Sequence, residues 1–182
     1  AAPGNAYVIA YDANGSANCT ASVCSPLWWS TAAPTDVLYS QALAVANGFV
    51  YAAEGSRVVA FDASGSTGCG GSPKVCAPVW SASPPASLAY GGPAVDGGTL
   101  FVAGYGQTLY AYDAAGTNGC TGSPKACSPL WTAAVGDTRN TPAVANGSVY
   151  VVNVGGTMRT FDATGATGCS GSPKVCTPVW TY

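Results

Sequence analysis

The chain has 182 residues, 48% of them hydrophobic and only 8% charged, with a net charge of −2 and no histidine. This is enough length and apolar material for one domain with a core, so the chain is not disordered. The absence of a basic face excludes an electrostatic nucleic-acid footprint, and the absence of histidine excludes Ser/His/Asp and Cys/His triads. No apolar run approaches the roughly 20 residues needed to cross a bilayer. The start Ala1-Ala2-Pro3-Gly4 is compatible with a mature end left by cleavage after small residues.

In chain order, Ala6 to Asp12 reads as a strand, Cys19 and Cys24 bound a short polar excursion, and Pro26 to Trp29 reads as a second strand. Nothing precedes this pair to serve as two inner strands. The next stretch is fuller. Leu43 to Ala46 is a short strand, Asn47-Gly48 is a strong hairpin signal, and Phe49 to Ala53 is the returning strand. Glu54-Gly55-Ser56 turns the chain into a third strand, Arg57 to Asp62. Ala63 to Ala77 is a Gly/Ser-rich loop carrying Cys69 and Cys76, and Pro78 to Ser81 is a fourth strand. The same order recurs from Pro93, with Asp96-Gly97-Gly98 at the first turn, and from Pro142, with Asn146-Gly147 there.

Two markers set the repeat independently. Aromatic-Asp-Ala places Asp12, Asp62, Asp113 and Asp162 at intervals of 50, 51 and 49 residues. The tryptophans Trp28, Trp80, Trp131 and Trp180 follow at intervals of 52, 51 and 49. The expectation is one all-β domain over 1–182 with repeats at about 1–32, 42–82, 93–132 and 142–182. Its units are antiparallel four-stranded β-propeller blades, three full and one half, with 14 strands in all.

The cysteines fall into local pairs, Cys19/Cys24, Cys69/Cys76, Cys120/Cys127 and Cys169/Cys176. Local pairing is the simplest of the connectivities open to eight cysteines. Zinc would favour shorter hooks and often histidine. Disulfides are therefore expected, one in each repeat, and with them an oxidising location: secreted, extracellular or cell-surface, with the periplasm included.

Each repeated Asp precedes a glycine by three residues, which suits an Asx-type cap of the turn; Asp12-Ala13-Asn14-Gly15-Ser16 also faintly resembles a calcium loop but has no bidentate Glu. The repeated tryptophans are read as blade-docking residues, packed between blades with the indole N–H on a backbone carbonyl, rather than as a stacking platform for sugars or bases. Strand alternation turns one of Trp28 and Trp29 outward, and Trp29 is the candidate contact residue. Lys74, Lys125 and Lys174 sit in Gly-Ser-Pro-Lys and read as solvated turns with Pro at the second position. Asn14, Asn18 and Asn146 stand in glycosylation sequons.

Ala60-Phe61-Asp62-Ala63-Ser64-Gly65 followed by Trp80, Ala111 to Gly116 followed by Trp131, and the run Pro142-Ala143-Val144-Ala145-Asn146-Gly147 resemble the quinoprotein-type, pyrroloquinoline-quinone-like β-propeller repeat. The resemblance covers essentially the whole chain and implies the propeller fold. Quinone-dependent enzymes of that family place calcium and a catalytic carboxylate at the axis, and many join adjacent cysteines. This chain has one Glu, Glu54, no adjacent cysteines, and an extra cysteine excursion before the docking Trp. The expectation is therefore a non-catalytic member with no catalytic residues, no cofactor and no metal. It is read as a secreted structural or interaction protein that associates with itself, or with another propeller-repeat chain, into a ring or an extracellular filament. A binding scaffold within a longer propeller is the alternative, and a fragment of a quinone-dependent dehydrogenase is the less favoured one.

Overall fold

The structure is a computed structural model that describes residues 8–21, 23–31, 42–88 and 91–182, the Glu54 side chain excepted. The readings on Ala1 to Gly4, on Ala6 at the head of the first strand, and on the outer residues of repeat 1–32 lie outside these residues. Every regular element among the described residues is a strand. Unit 1 contains β1 (Ile9–Ala10), β2 (Cys19–Thr20), β3 (Val23–Cys24) and β4 (Trp28–Ser30). Unit 2 contains β5 (Leu43–Ala46), β6 (Phe49–Glu54), β7 (Arg57–Asp62), β8 (Cys69–Gly70), β9 (Lys74–Cys76) and β10 (Trp80–Ala82). Unit 3 contains β11 (Ala94–Asp96), β12 (Thr99–Ala103), β13 (Thr108–Asp113), β14 (Cys120–Thr121), β15 (Lys125–Cys127) and β16 (Trp131–Ala134). Unit 4 contains β17 (Ala143–Ala145), β18 (Ser148–Val152), β19 (Met158–Asp162), β20 (Cys169–Ser170), β21 (Lys174–Cys176) and β22 (Trp180–Thr181).

Within a unit the blade strands run antiparallel, in the order β5-β6-β7-β10, β11-β12-β13-β16 and β17-β18-β19-β22. The hairpin turns form where both corner residues accept positive φ. Asn47 and Gly48 lie at +52° and +79°, and Asn146 and Gly147 at +51° and +73°. Those values match the twist of the flanking strands.

The blade strands lie where the sequence places them, and eight further strands stand in the cysteine excursions. Each excursion is a two-stranded hairpin rather than a loop. Its two cysteines face each other across the hairpin and are joined: Cys19–Cys24, Cys69–Cys76, Cys120–Cys127 and Cys169–Cys176. A two- or three-residue strand rich in Gly and Ser carries no readable alternation and little β-propensity. It becomes a strand because another unit receives it. Strand β9 pairs parallel with β4, β15 with β10, and β21 with β16. Each disulfide hairpin thus extends the sheet of the preceding unit, and the sheets read β14-β15-β10-β7-β6-β5 and β11-β12-β13-β16-β21-β20.

The core lies between blades. Successive residues of β6 point to opposite faces, and both faces are buried. Val50 and Ala52 pack with Val8, Trp28 and Phe61 towards unit 1, while Tyr51 and Ala53 pack with Trp80, Leu100 and Tyr112 towards unit 3. One step on, Phe101 and Ala103 pack with Trp131, Val149 and Phe161 towards unit 4. Blades therefore stabilise one another by face-to-face burial, the dominant favourable term of folding.

Candidate functional site: the joint between blades

The repeated residues converge on one place, the joint between consecutive units, and it recurs three times. Trp28 Nε1 donates to the Ala63 carbonyl of the next unit at 3.1 Å, Trp80 Nε1 to Ala114 at 3.0 Å, and Trp131 Nε1 to Ala163 at 3.4 Å. Each indole also packs, tilted, on the aromatic ring that precedes the next unit's Asp. Trp28–Phe61, Trp80–Tyr112 and Trp131–Phe161 have centroids 6.1, 6.2 and 6.3 Å apart. A buried indole needs such a partner for its N–H, and tilted rings at this separation attract one another. At the centre joint Tyr51 adds its hydroxyl to the same Ala114 carbonyl at 3.1 Å. Burial, with the Asp113 carboxylate as a second cause, pushes the Tyr51 phenol up to about 12.

The indole lies directly on a glycine of the next turn. A Cβ on Gly65 would stand 2.5 Å from Trp28 Cδ1, and a Cβ on Gly116 or Gly165 would overlap Trp80 or Trp131 in the same way. These glycines also hold φ near +65°, so glycine is required there twice over.

The aspartates shape that turn. Asp62 accepts the Ser64 N–H and hydroxyl on Oδ1 and the Thr67 N–H on Oδ2. Asp162 accepts the Thr164 N–H and hydroxyl and the Thr167 N–H. Asp12 accepts the N–H groups of Asn14, Ser16 and Ala17. Asp113 accepts Ala115 N–H, Thr117 hydroxyl and Asn118 N–H. These carboxylates are occupied by their own turn. The backbone N–H of Ala17 and the Ser16 hydroxyl hold the Asp12 carboxyl well below the usual carboxylate range. The Thr67 and Thr167 N–H groups, with the hydroxyls of Ser64 and Thr164, do the same for Asp62 and Asp162. Burial works upward on Asp113, and the Thr117 hydroxyl and Asn118 N–H outweigh it, leaving that carboxyl lowered as well.

The sign of the pH effect follows. A carboxyl whose folded pKa is depressed binds fewer protons folded than unfolded, so its stabilisation is complete above the unfolded value of about 3.9 and is lost as pH falls below it. Denaturant midpoints are expected to hold level from neutral pH to about pH 5 and to fall steadily towards pH 2. A D62N/D162N double variant is expected to show a shallower acid fall. An equally steep fall in that variant would refute this account.

Lys74, Lys125 and Lys174 do more than solvate a turn. Their Nζ atoms donate to the carbonyls of Gly65, Gly116 and Gly165 at 3.0, 2.9 and 3.1 Å, tying each hairpin to the turn that receives the Trp. Each lies nine residues after its glycine, and that recurrence was the one readable signal. The Ser–Pro bonds before these lysines are cis, so the proline does not occupy the second corner of an ordinary turn.

Two tryptophans depart from expectation. Trp29 is 7% exposed, not turned out to solvent, because its cross-strand neighbours Ile9 and Val75 wall it in. Trp180 occupies the docking position of unit 4, yet it is 48% exposed, since among the described residues no following unit receives it. No group of three or more His, Cys, Asp or Glu among the described residues is arranged to hold a metal ion, and no helix is long and apolar enough to cross a membrane.

The model of the family described as "Outer membrane protein assembly factor BamB" matches residues 74–181. No curated protein matches the sequence. Among solved structures, BamB from Moraxella catarrhalis aligns with a TM-score of 0.53 at 16% identity, over 78% of this chain and 35% of that one. The computationally designed Ika8 protein aligns with a TM-score of 0.56 at 9% identity, over 86% of this chain and 39% of that one. This chain spans well under half the length of either, and likenesses at these identities bear on the fold alone.

Proposed function

Because this chain belongs to the family described as outer membrane protein assembly factor BamB, we propose that it is a non-catalytic propeller-repeat scaffold that acts by binding protein, above all further copies of itself. One observation carries the reading. The side chains that could do chemistry, the repeated Asp, Lys, Cys and Trp, are spent on turns and joints instead of gathering around a shared cleft. What such an arrangement offers is a stack of blades and their end surfaces. Four disulfides suit an oxidising compartment, whether extracellular, cell-surface or periplasmic.

Self-association into a ring or filament is supported by the low charge, which provides little repulsion between copies, and by the unlike end surfaces of the stack. Contacts between unlike surfaces close into a ring when the rotation permits and continue as a filament otherwise. Size-exclusion chromatography with light scattering, followed by electron microscopy, is expected to show species well above the 18.0 kDa of one chain. A stable monomer at micromolar concentration would overturn this reading. The 35% coverage of BamB favours a second one, a binding scaffold within a longer propeller. Mass spectrometry of the protein from its source would then find residues beyond 1–182.

A further inference from the structure

The two ends of the stack carry the two unmatched halves of the internal joint. At the unit 4 end, Trp180 is exposed on the free side of β22, with Val152 and Tyr182 exposed nearby in the sequence repeat. In units 2 and 3 the corresponding outward face, Tyr51 and Ala53 or Phe101 and Ala103, is buried against the next blade. At the unit 1 end, Tyr11 is 53% exposed, whereas its counterparts Phe61, Tyr112 and Phe161 lie buried under a tryptophan. Ile9, the counterpart of the buried Val59, is exposed as well. Gly15 holds the same φ of +65° as Gly65, Gly116 and Gly165, but it is exposed, and a Cβ there would meet nothing within 4 Å. The indole that fills this slot in the other units is missing from it. Hairpin β2-β3 forms a two-stranded sheet by itself, while the other three hairpins each extend a preceding blade.

We infer that the unit 4 end of one copy docks on the unit 1 end of a second copy by repeating the internal joint, with Trp180 seated on Gly15 and Tyr11 and with hairpin β2-β3 added to the edge of β22. The inference rests on the self-association reading above and names its contact. Trp180 Nε1 donates to the Ala13 carbonyl of the second copy, as Trp28, Trp80 and Trp131 donate to Ala63, Ala114 and Ala163. The indole stacks on Tyr11 as the internal indoles stack on Phe61, Tyr112 and Phe161. Strand β3 runs parallel to β22, with Thr181 opposite Val23, as Thr132 stands opposite Val175 and Trp29 opposite Val75. Main-chain bonds of this kind add a strand to an open edge, and a seated aromatic anchor sets the register.

The end joint differs from the internal ones in one way. The Cys19–Cys24 separation is five residues against seven elsewhere, and the shorter hairpin has no counterpart of Lys74. This joint therefore forms without the lysine brace and is the most easily reversed of the series.

The test uses the full disulfide-bonded chain in sedimentation velocity. The unmodified chain is expected to assemble. Trp180→Ala, which removes the anchor, and Tyr11→Arg, which puts a charge in its seat, are each expected to weaken association on the order of 30-fold or more, as truncation of a central buried tryptophan does. Each variant keeps the end that the other has lost. An equimolar mixture of the two is therefore expected to form a species of twice the 18.0 kDa chain mass and nothing larger, which also shows that both variants are folded. If the unmodified chain assembles and Trp180→Ala assembles equally well, the joint is wrong and self-association stands through another surface. A mixture that stays monomeric also overturns the joint. If the unmodified chain itself is monomeric throughout, both the joint and the reading beneath it fail.

Discussion

Replacing Trp80 by alanine is expected to destabilise the chain by about 3–5 kcal/mol, the usual cost of truncating a buried aromatic to alanine. Trp80 is fully buried, packs on Tyr51 and Tyr112, and covers Gly116. Its removal opens a cavity in the core shared by units 2 and 3, and strands held by paired sheets on both sides cannot readily collapse to fill it. Against a total stability of roughly 5–15 kcal/mol for a domain, this is a large fraction. Trp180 holds the same place in the repeat, and its replacement by alanine is expected to change the stability of single copies by no more than about 0.5 kcal/mol, as for other exposed sites. Guanidinium unfolding of both variants, at concentrations low enough to keep copies apart, makes the comparison. Equal losses would mean that Trp180 is buried by its own chain. A negligible loss at Trp80 would mean that the core does not lie between blades.

The disulfides are expected to divide in the same manner. Removing Cys120–Cys127 as a paired alanine variant is expected to cost about 2–3 kcal/mol from the lost constraint on the unfolded chain. Its hairpin also supplies the parallel partner of β10, and Cys127 packs into the core between units 2 and 3. Loosening the hairpin therefore loosens a joint. Removing Cys19–Cys24 is expected to cost less than about 1 kcal/mol. Hairpin β2-β3 pairs with no other sheet among the described residues, so it can open locally while the blades stay folded. Unfolding midpoints of the two paired variants decide the matter. A larger loss at Cys19–Cys24 than at Cys120–Cys127 would reverse the assignment of which hairpin holds the stack together.

Assembly changes the second result in an informative direction. If hairpin β2-β3 seats on β22 of another copy, the Cys19–Cys24 variant loses little stability as a single chain but associates poorly. The two properties then separate at one site, where they coincide at Cys120–Cys127.

Much of this protein was written locally in its sequence. The type of turn at Asn47-Gly48 and Asn146-Gly147, the Asx caps of Asp62 and Asp162, and the pairing of cysteines a few residues apart all depend on neighbours within about ten positions, and residue types there suffice to predict them. The spacing of Asp and Trp established the repeat, and the repeat implied blades. The tertiary structure decided what joins what. Strand β9 lies 46 residues beyond the β4 tryptophan it meets, Trp28 opposite Lys74, and nothing in a Gly/Ser-rich excursion says that it will leave its own unit to extend the preceding one. The same holds for the lysine brace, for the cover over Trp29, and for the difference between Trp80 and Trp180, which are alike in sequence context and opposite in burial. Turns and pairs are settled by local sterics and hydrogen bonding, whereas burial and parallel pairing depend on which surface another blade presents, and that is known only once the blades are stacked.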